Sequence, residues 1–341
     1  MFNRTYQFKL IKLNPKTMDQ NVESRILQDK FKNTDKDLAY YIKKSKNHRY
    51  IVKKWSTFHR FFYRFMNPFM SKIVPNFFRF EYFGIENLTQ FPENTPLILA
   101  GNHRSHLDAL AAFATIFPPV GNLRYLTSIT PGDVLKENSL FKMMRYLGGY
   151  PINRKNREAS LDYLYETLKV NLPIGIFPQG GRIGRTPVED YQKLSEEGQS
   201  GVGRLILRMK NRIPVIPIYL HGTAEALSRG SIIPKFGSYI SVTLGEPIFF
   251  DEYLDQEWDI NSKEFYETAR IITDKIMKKI QDLCYDTEKG LFQILENIFN
   301  APINKIRLTE SQSKKLRKWL RRFSHYAPYE YASYHEYRKT E

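Results

Sequence analysis

From residue 80 onward the chain alternates short apolar runs with amphipathic stretches, and this limits the available folds more than any other feature. FEYFGI (80–85), PLILA (96–100), NLRYLTS (122–128), IGIF (174–177), VIPIYL (215–220) and YISVTL (239–244) have the length and residue types of strands. Between them, HLDALAAFATIF (106–117), two stretches around 133–147 and 157–170, and GVGRLILRMK (201–210) carry apolar residues at helical spacing. A helix between two strands carries the chain back to the end of the sheet from which it left, so such strands pair in parallel. The expected fold is α/β: a central, mostly parallel or mixed sheet flanked by helices over residues 80–250. VIPIYL, with Pro214 and Pro217 beside it and within it, reads as a strand near a sheet edge, since proline cannot donate to a ladder.

Extensions flank this domain at 1–79 and 251–341. Residues 1–50 are polar and lysine-rich with weak periodicity. Over 55–69, Trp55, Phe58, Phe61, Phe62, Phe65, Met66 and Phe69 recur at helical spacing, and Arg60 and Arg64 lie on the other side. Pro68 marks the end of that helix. Such a face either docks on the core or lies in a bilayer surface with its arginines at headgroup level; the residues leave both readings open. Beyond 250 the chain turns helical. EFYETARIITDKIMKKIQDL (264–283) is periodic, and KKLRKWLRRF (314–323) puts Leu316, Trp319, Leu320 and Phe323 on one face of a strongly basic helix.

Lys and Arg number 52 against 36 Asp and Glu, a formal charge of +16. That surplus favours an anionic partner: a membrane surface, an acidic carrier or substrate, or nucleic acid. Nucleic acid ranks last, because no recognised module accompanies the basic helix. Cys284 is the single cysteine, so no internal disulfide can form, and an intracellular protein is expected. The first residues, MFNRTYQFKLIKLNPK, lack the apolar core of a signal peptide. No stretch reaches the ~18 apolar residues of a membrane span. The expected location is the cytoplasm, peripherally associated with the membrane.

GNHRSHLD (101–108) joins the strand PLILA to the next helix. Ser105-x-x-Asp108 fits a capping box, in which the acidic side chain reaches back to a cap amide. His103-x4-Asp108 also fits a base with its orienting carboxylate. Five residues apart within one helix the two would diverge by about 140°, but in a strand-to-helix turn that constraint lifts. The carboxylate can then hold one ring nitrogen and leave the other to accept a proton. His106 is the rival base, already inside the expected helix. FPQGGR (177–182) adds a glycine-rich turn with Gly180, Gly181 and Arg182, and GGYPINR (148–154) adds Arg154. Exposed amides and guanidinium groups suit an anion.

GNHRSHLD, GGYPINR, FPQGGR and IPVIPIYL, in that order, resemble the four motifs of the PlsC-like glycerolipid acyltransferases, over roughly residues 80–250. The resemblance implies an enzyme that moves a fatty acyl group from acyl-CoA or acyl-carrier protein to the hydroxyl of lysophosphatidate, giving phosphatidate. It implies His103 as general base, Asp108 as its partner, and Arg154, Gly180, Gly181 and Arg182 at the acceptor phosphate. Pro217 matches the proline on the acyl-donor side. No cofactor, metal or acyl-enzyme is implied. Where the third motif of that family reads Phe-Pro-Glu-Gly-Thr-Arg, this chain has Gln179 and Gly181. The alternatives are therefore glycerol 3-phosphate or another hydroxylated lipid as acceptor, or a non-catalytic lipid-binding member.

Overall fold

The computed structural model describes residues 58–70, 74–93, 95–116, 126–131, 149–152, 157–169, 171–196, 198–209, 211–231 and 233–323. The chain divides into two compact units, Met1–Arg60 and Phe61–Glu341. The account below concerns the second, apart from the first turn of one helix.

Among the described residues, seven strands form one sheet: β1 (Arg79–Phe83), β2 (Ile98–Gly101), β3 (Thr127–Pro131), β4 (Gly149–Ile152), β5 (Ile174–Ile176), β6 (Val215–His221) and β7 (Tyr239–Leu244), in the order β1-β7-β6-β2-β5-β3-β4. Every neighbouring pair is parallel except β6 and β7. The sheet is thus mixed, as the alternation of strands and helices predicts. Besides single turns at Val74–Phe77 and Glu86–Thr89, the described helices are α1 (Phe58–Pro68), α2 (Leu107–Ala114), α3 (Arg157–Lys169), α4 (Pro187–Leu194), α5 (Gly201–Arg208), the single turn α6 (Thr223–Ala226), α7 (Lys263–Phe299) and α8 (Glu310–Phe323). The helix expected around 133–147 lies outside the described residues.

The expectation for VIPIYL needs correcting. β6 is an inner strand, between β7 and β2, and is buried along its whole length. Its proline is tolerated because of where the missing N–H would point. The Val215 N–H, two residues earlier and on the same side, bonds the Ile248 carbonyl oxygen at 3.0 Å. Regular pairing with β7 begins only at Ile218–Leu244. Pro217 therefore faces the turn at 245–247 and needs only to accept, which its carbonyl does from the Gly245 N–H at 2.9 Å.

Residues 251–323, the described part of the segment read as an extension, contribute to the same core. α7 runs for 37 residues, about 55 Å, capped by the Ser262 side chain on the Phe265 N–H. Phe265, Ala269, Ile272, Ile276, Ile280 and Cys284 repeat every three or four residues and, with Leu291 two turns further on, are buried in one cluster with β2, β5 and β6. The approach to α5 is close enough that a Cβ at Gly203 would stand 1.9 Å from the Ala269 carbonyl oxygen. Only glycine fits there. Glu288 occupies the same stripe and is fully buried, a charged residue where the pattern calls for an apolar one.

α1 resolves the two readings of its aromatic face in part. Met66 and Met70 are buried, whereas Phe61, Phe65 and Phe69, spaced four apart, stand exposed, the first two at 69% and 70%. Trp55 lies outside the described residues.

Candidate active site

β2, β5 and β6 run parallel side by side, and their C-terminal ends open at one edge of the sheet, where ligands bind in open α/β folds. The residues after β2 turn sharply there. Asn102 is fully buried, and its side chain takes the place of a strand residue: its Oδ1 accepts from the Leu220 N–H at 2.7 Å and its Nδ2 donates to the Leu220 carbonyl at 3.1 Å. That fastens the end of β2 to β6 and fixes the position of the next residue, His103.

Asp108, in the first turn of α2, is fully buried. Its Oδ2 accepts from His103 Nδ1 at 2.8 Å, from the Arg104 N–H at 2.5 Å and from the Ser105 N–H at 2.7 Å. Its Oδ1 accepts from the Thr223 hydroxyl of α6. The geometry accommodates the capping and the chemical readings together, since one carboxylate oxygen reaches back to the turn amides and also grips the imidazole. A carboxylate can only accept, so Nδ1 carries the proton and Nε2 is left as the basic nitrogen. The ring stacks on Phe177, with centroids 4.3 Å apart and planes 11° apart, and is 21% exposed.

The loop after β5 is laced to His103 from the other side. Gln179 Oε1 accepts from the His103 N–H at 2.9 Å, and the Ile183 N–H donates to the His103 carbonyl at 2.8 Å. Gln179 thus supplies an acceptor oxygen of the kind a glutamate at this position would also offer. Gly180 is required, with φ +72° and a would-be Cβ 2.8 Å from Gln199 Cγ. At Gly181 a Cβ would meet nothing within 4 Å, so packing does not impose glycine there. Arg182 is half-buried and close enough to His106 to act on its charge. Burial, then Arg182 and His103, lower the pKa of His106 despite Asp108. The bonds of the Asp108 carboxylate go to His103, two amides and Thr223, so His103 is the imidazole that is braced.

Beneath the turn lies a buried polar cluster. Arg104 donates from Nη2 to Glu225 Oε1 at 3.1 Å, and its Nε stands 4.0 Å from Asp190 Oδ2. Burial works against the guanidinium charge, but Glu225 and Asp190 outweigh it and hold its pKa above the ordinary value. Burial raises Asp190 to about 7, against the pull of Arg104 and the Asn102 amide. Below about pH 4 both the folded and unfolded states hold this proton; between about 4 and 7 only the folded state does. The stability it contributes is therefore complete in acid and lost as pH rises to about 7. Melting temperatures of wild type and Asp190→Asn, followed from pH 4 to pH 8, should show the steeper decline in wild type, whereas parallel curves would remove the assignment.

Tyr219 donates to Glu288 Oε1 at 3.0 Å, and His221 Nδ1 meets the same oxygen, which explains the charged residue in the stripe of α7. Burial, with Asp190 and Glu288 nearby, pushes the Cys284 thiol well above its ordinary pKa. It stays protonated and is no nucleophile.

Residues 82–221 match the model of the Acyltransferase family. Over those residues the chain carries an acyltransferase domain similar to that of the PlsC-like glycerolipid acyltransferases. It is 25% identical over 210 residues to the chloroplastic 1-acyl-sn-glycerol-3-phosphate acyltransferase BAT2 of Brassica napus, covering 60% of this chain and 51% of that protein. The chain thus spans about half the length of the curated relative it matches. It is also similar to the crystal structure of the LPA acyltransferase PlsC from Thermotoga maritima, at 16% identity and a TM-score of 0.42, with 76% of this chain and 97% of that one covered.

Of the other residues that the acyltransferase motifs single out, Arg154 lies outside the described residues. Pro217 sits in mid-strand, level with Ala100, set back from His103. Asn102, Arg104, Gln179 and Thr223 hold the site together and were not expected to. Asn102 and Arg104 were visible inside GNHRSHLD, whereas Thr223 has no sequence signal, because its contact spans 115 residues.

Proposed function

We propose that this protein transfers a fatty acyl group from a thioester donor to the hydroxyl of a phosphorylated glycerolipid, lysophosphatidate yielding phosphatidate, by direct attack. The observation that carries the reading is the 2.8 Å bond between His103 Nδ1 and the fully buried Asp108. The acceptor hydroxyl gives its proton to His103 Nε2 while its oxygen attacks the thioester carbon. The C–S bond then breaks, and the leaving sulfur takes the proton back from the imidazolium. Asp108 stabilises that imidazolium and holds the tautomer. Arg182, with the open amide turn at Gly180 and Gly181, faces the acceptor phosphate, and Arg154 joins it. Pro217 acts on the acyl-donor side through β6.

The test is product formation by the purified protein from acyl-CoA or acyl-carrier protein with lysophosphatidate, glycerol 3-phosphate and neutral hydroxylated lipids as acceptors. Phosphatidate formation from lysophosphatidate is expected to be fastest. Turnover of none of them would leave only a lipid-binding role.

Among the described residues no helix is long and apolar enough to cross a membrane. The exposed stripe Phe61, Phe65 and Phe69 fits a bilayer surface instead. Phe77 and Phe236, with ring centroids 5.1 Å apart and both exposed, add a second apolar group. Phe61→Asp/Phe65→Asp should abolish co-sedimentation with vesicles containing anionic lipid while leaving circular dichroism unchanged. Unaltered pelleting would count against this face.

A further inference from the structure

The C-terminal helix closes a groove that the acyltransferase motifs do not account for. α8 is tied down at both ends: Ser313 Oγ donates to Glu189 Oε1 at 2.7 Å, and Lys235 Nζ donates to the Arg321 carbonyl. Between α8 and the loops after β5 and β6 lies a groove of about 1160 Å³. One end begins at Arg182 and Ile183, and the Ile183 N–H bonds the His103 carbonyl. The other end reaches Lys314, Arg317 and Arg321.

Eight Lys and Arg side chains line it against three Glu, an excess of five positive charges drawn from four separate segments. One cation is built in. Arg104 is 3% exposed, lines the groove, and has Nη1 without a hydrogen-bond partner.

We propose that this groove binds the nucleotide phosphates of a coenzyme A thioester, with Lys314 and Arg317 of α8 selecting that donor over one that lacks the nucleotide. The proposal rests on the acyl-transfer reading above and deepens it. Two features favour a small polyphosphate. A single phosphomonoester carries about −1.5 to −2, so an acceptor phosphate at Arg182 would leave most of the surplus unmatched. The 3′-phosphate and diphosphate of coenzyme A would match it. The cations also face one another across a concavity, at about the upper size of small-ligand clefts (~300–1,000 Å³). A flat bilayer cannot enter such a site, and a carrier protein would need the charge spread over an open face. The pantetheine arm would then run past Ile183 towards His103.

The test uses the full-length protein and the variant Lys314→Glu/Arg317→Glu, with Lys314→Gln/Arg317→Gln as a milder form should charge reversal release α8. Binding of adenosine 3′,5′-bisphosphate is measured by calorimetry, without any turnover. Wild type should bind it, and the variants should bind at least about tenfold more weakly. In turnover, the ratio of kcat/KM for acyl-CoA to kcat/KM for acyl-pantetheine should fall about tenfold. An unchanged ratio, or no binding of the bisphosphate by wild type, overturns the proposal. So does a loss confined to the lysophosphatidate KM, to acyl-carrier protein, or to vesicle binding, which would give the groove to the acceptor, a carrier protein or a lipid surface. A protein that binds the bisphosphate but transfers no acyl group would refute the acyl-transfer reading alone.

Discussion

His103→Ala should lower kcat by about 10²–10⁴-fold, the usual contribution of a general base, with acceptor and donor KM little changed. The fold should survive the substitution. The ring is partly exposed, and without it the Asp108 carboxylate still accepts from the Arg104 and Ser105 amides and from Thr223. No buried donor is orphaned. His106→Ala is the matched control: it removes a neighbouring imidazole that is not the one braced by the carboxylate, and should cost far less. Initial rates at saturating donor and acceptor, with near-ultraviolet circular dichroism as the folding check, decide the matter. Equal rates for wild type and His103→Ala would eliminate the assigned base.

What could be read in advance divides along sequence distance. Strand and helix identities follow from periodicity, which is local, and β1, β2, β5, β6 and β7 fall close to where the apolar runs place them. The position of β6 in the sheet is not local. Pro217 suggests an edge only if the N–H it lacks would have had a partner, and that depends on a turn at 245–247. The same division runs through the site. His103 and Asp108 lie five residues apart and are legible as a pair. Their supports, Gln179 and Thr223, come from 76 and 115 residues away and become visible only once the sheet brings its strand ends together. Helix α8 shows the limit most clearly. Its basic face was legible, but its meaning depends on standing opposite Arg182 and Arg229, which no spacing rule predicts. Its apolar face is narrower than the spacing predicts, since Leu320 is buried while Trp319 remains 36% exposed.

Asp108 allows charge to be separated from architecture, because two substitutions should fail differently. Asp108→Ala leaves the Arg104 and Ser105 amides and the Thr223 hydroxyl buried without their acceptor. At about 1–3 kcal/mol for each unsatisfied group, the variant should melt well below wild type or fail to fold. Asp108→Asn keeps the shape. Its carbonyl oxygen can take the place of Oδ2 before the imidazole and both amides, and its NH2 group can donate to Thr223, whose hydroxyl turns to accept. What disappears is the negative charge facing an imidazolium that exists only during turnover. A hydrogen bond to a charged group is worth about 1.5–3 kcal/mol, so kcat should drop by about 10–100-fold, with a melting temperature close to that of wild type. Thermal melts and single-turnover rates on both variants distinguish the roles. If Asp108→Asn retained full activity, the carboxylate would be a capping group alone, and the imidazole at 103 would act without electrostatic help.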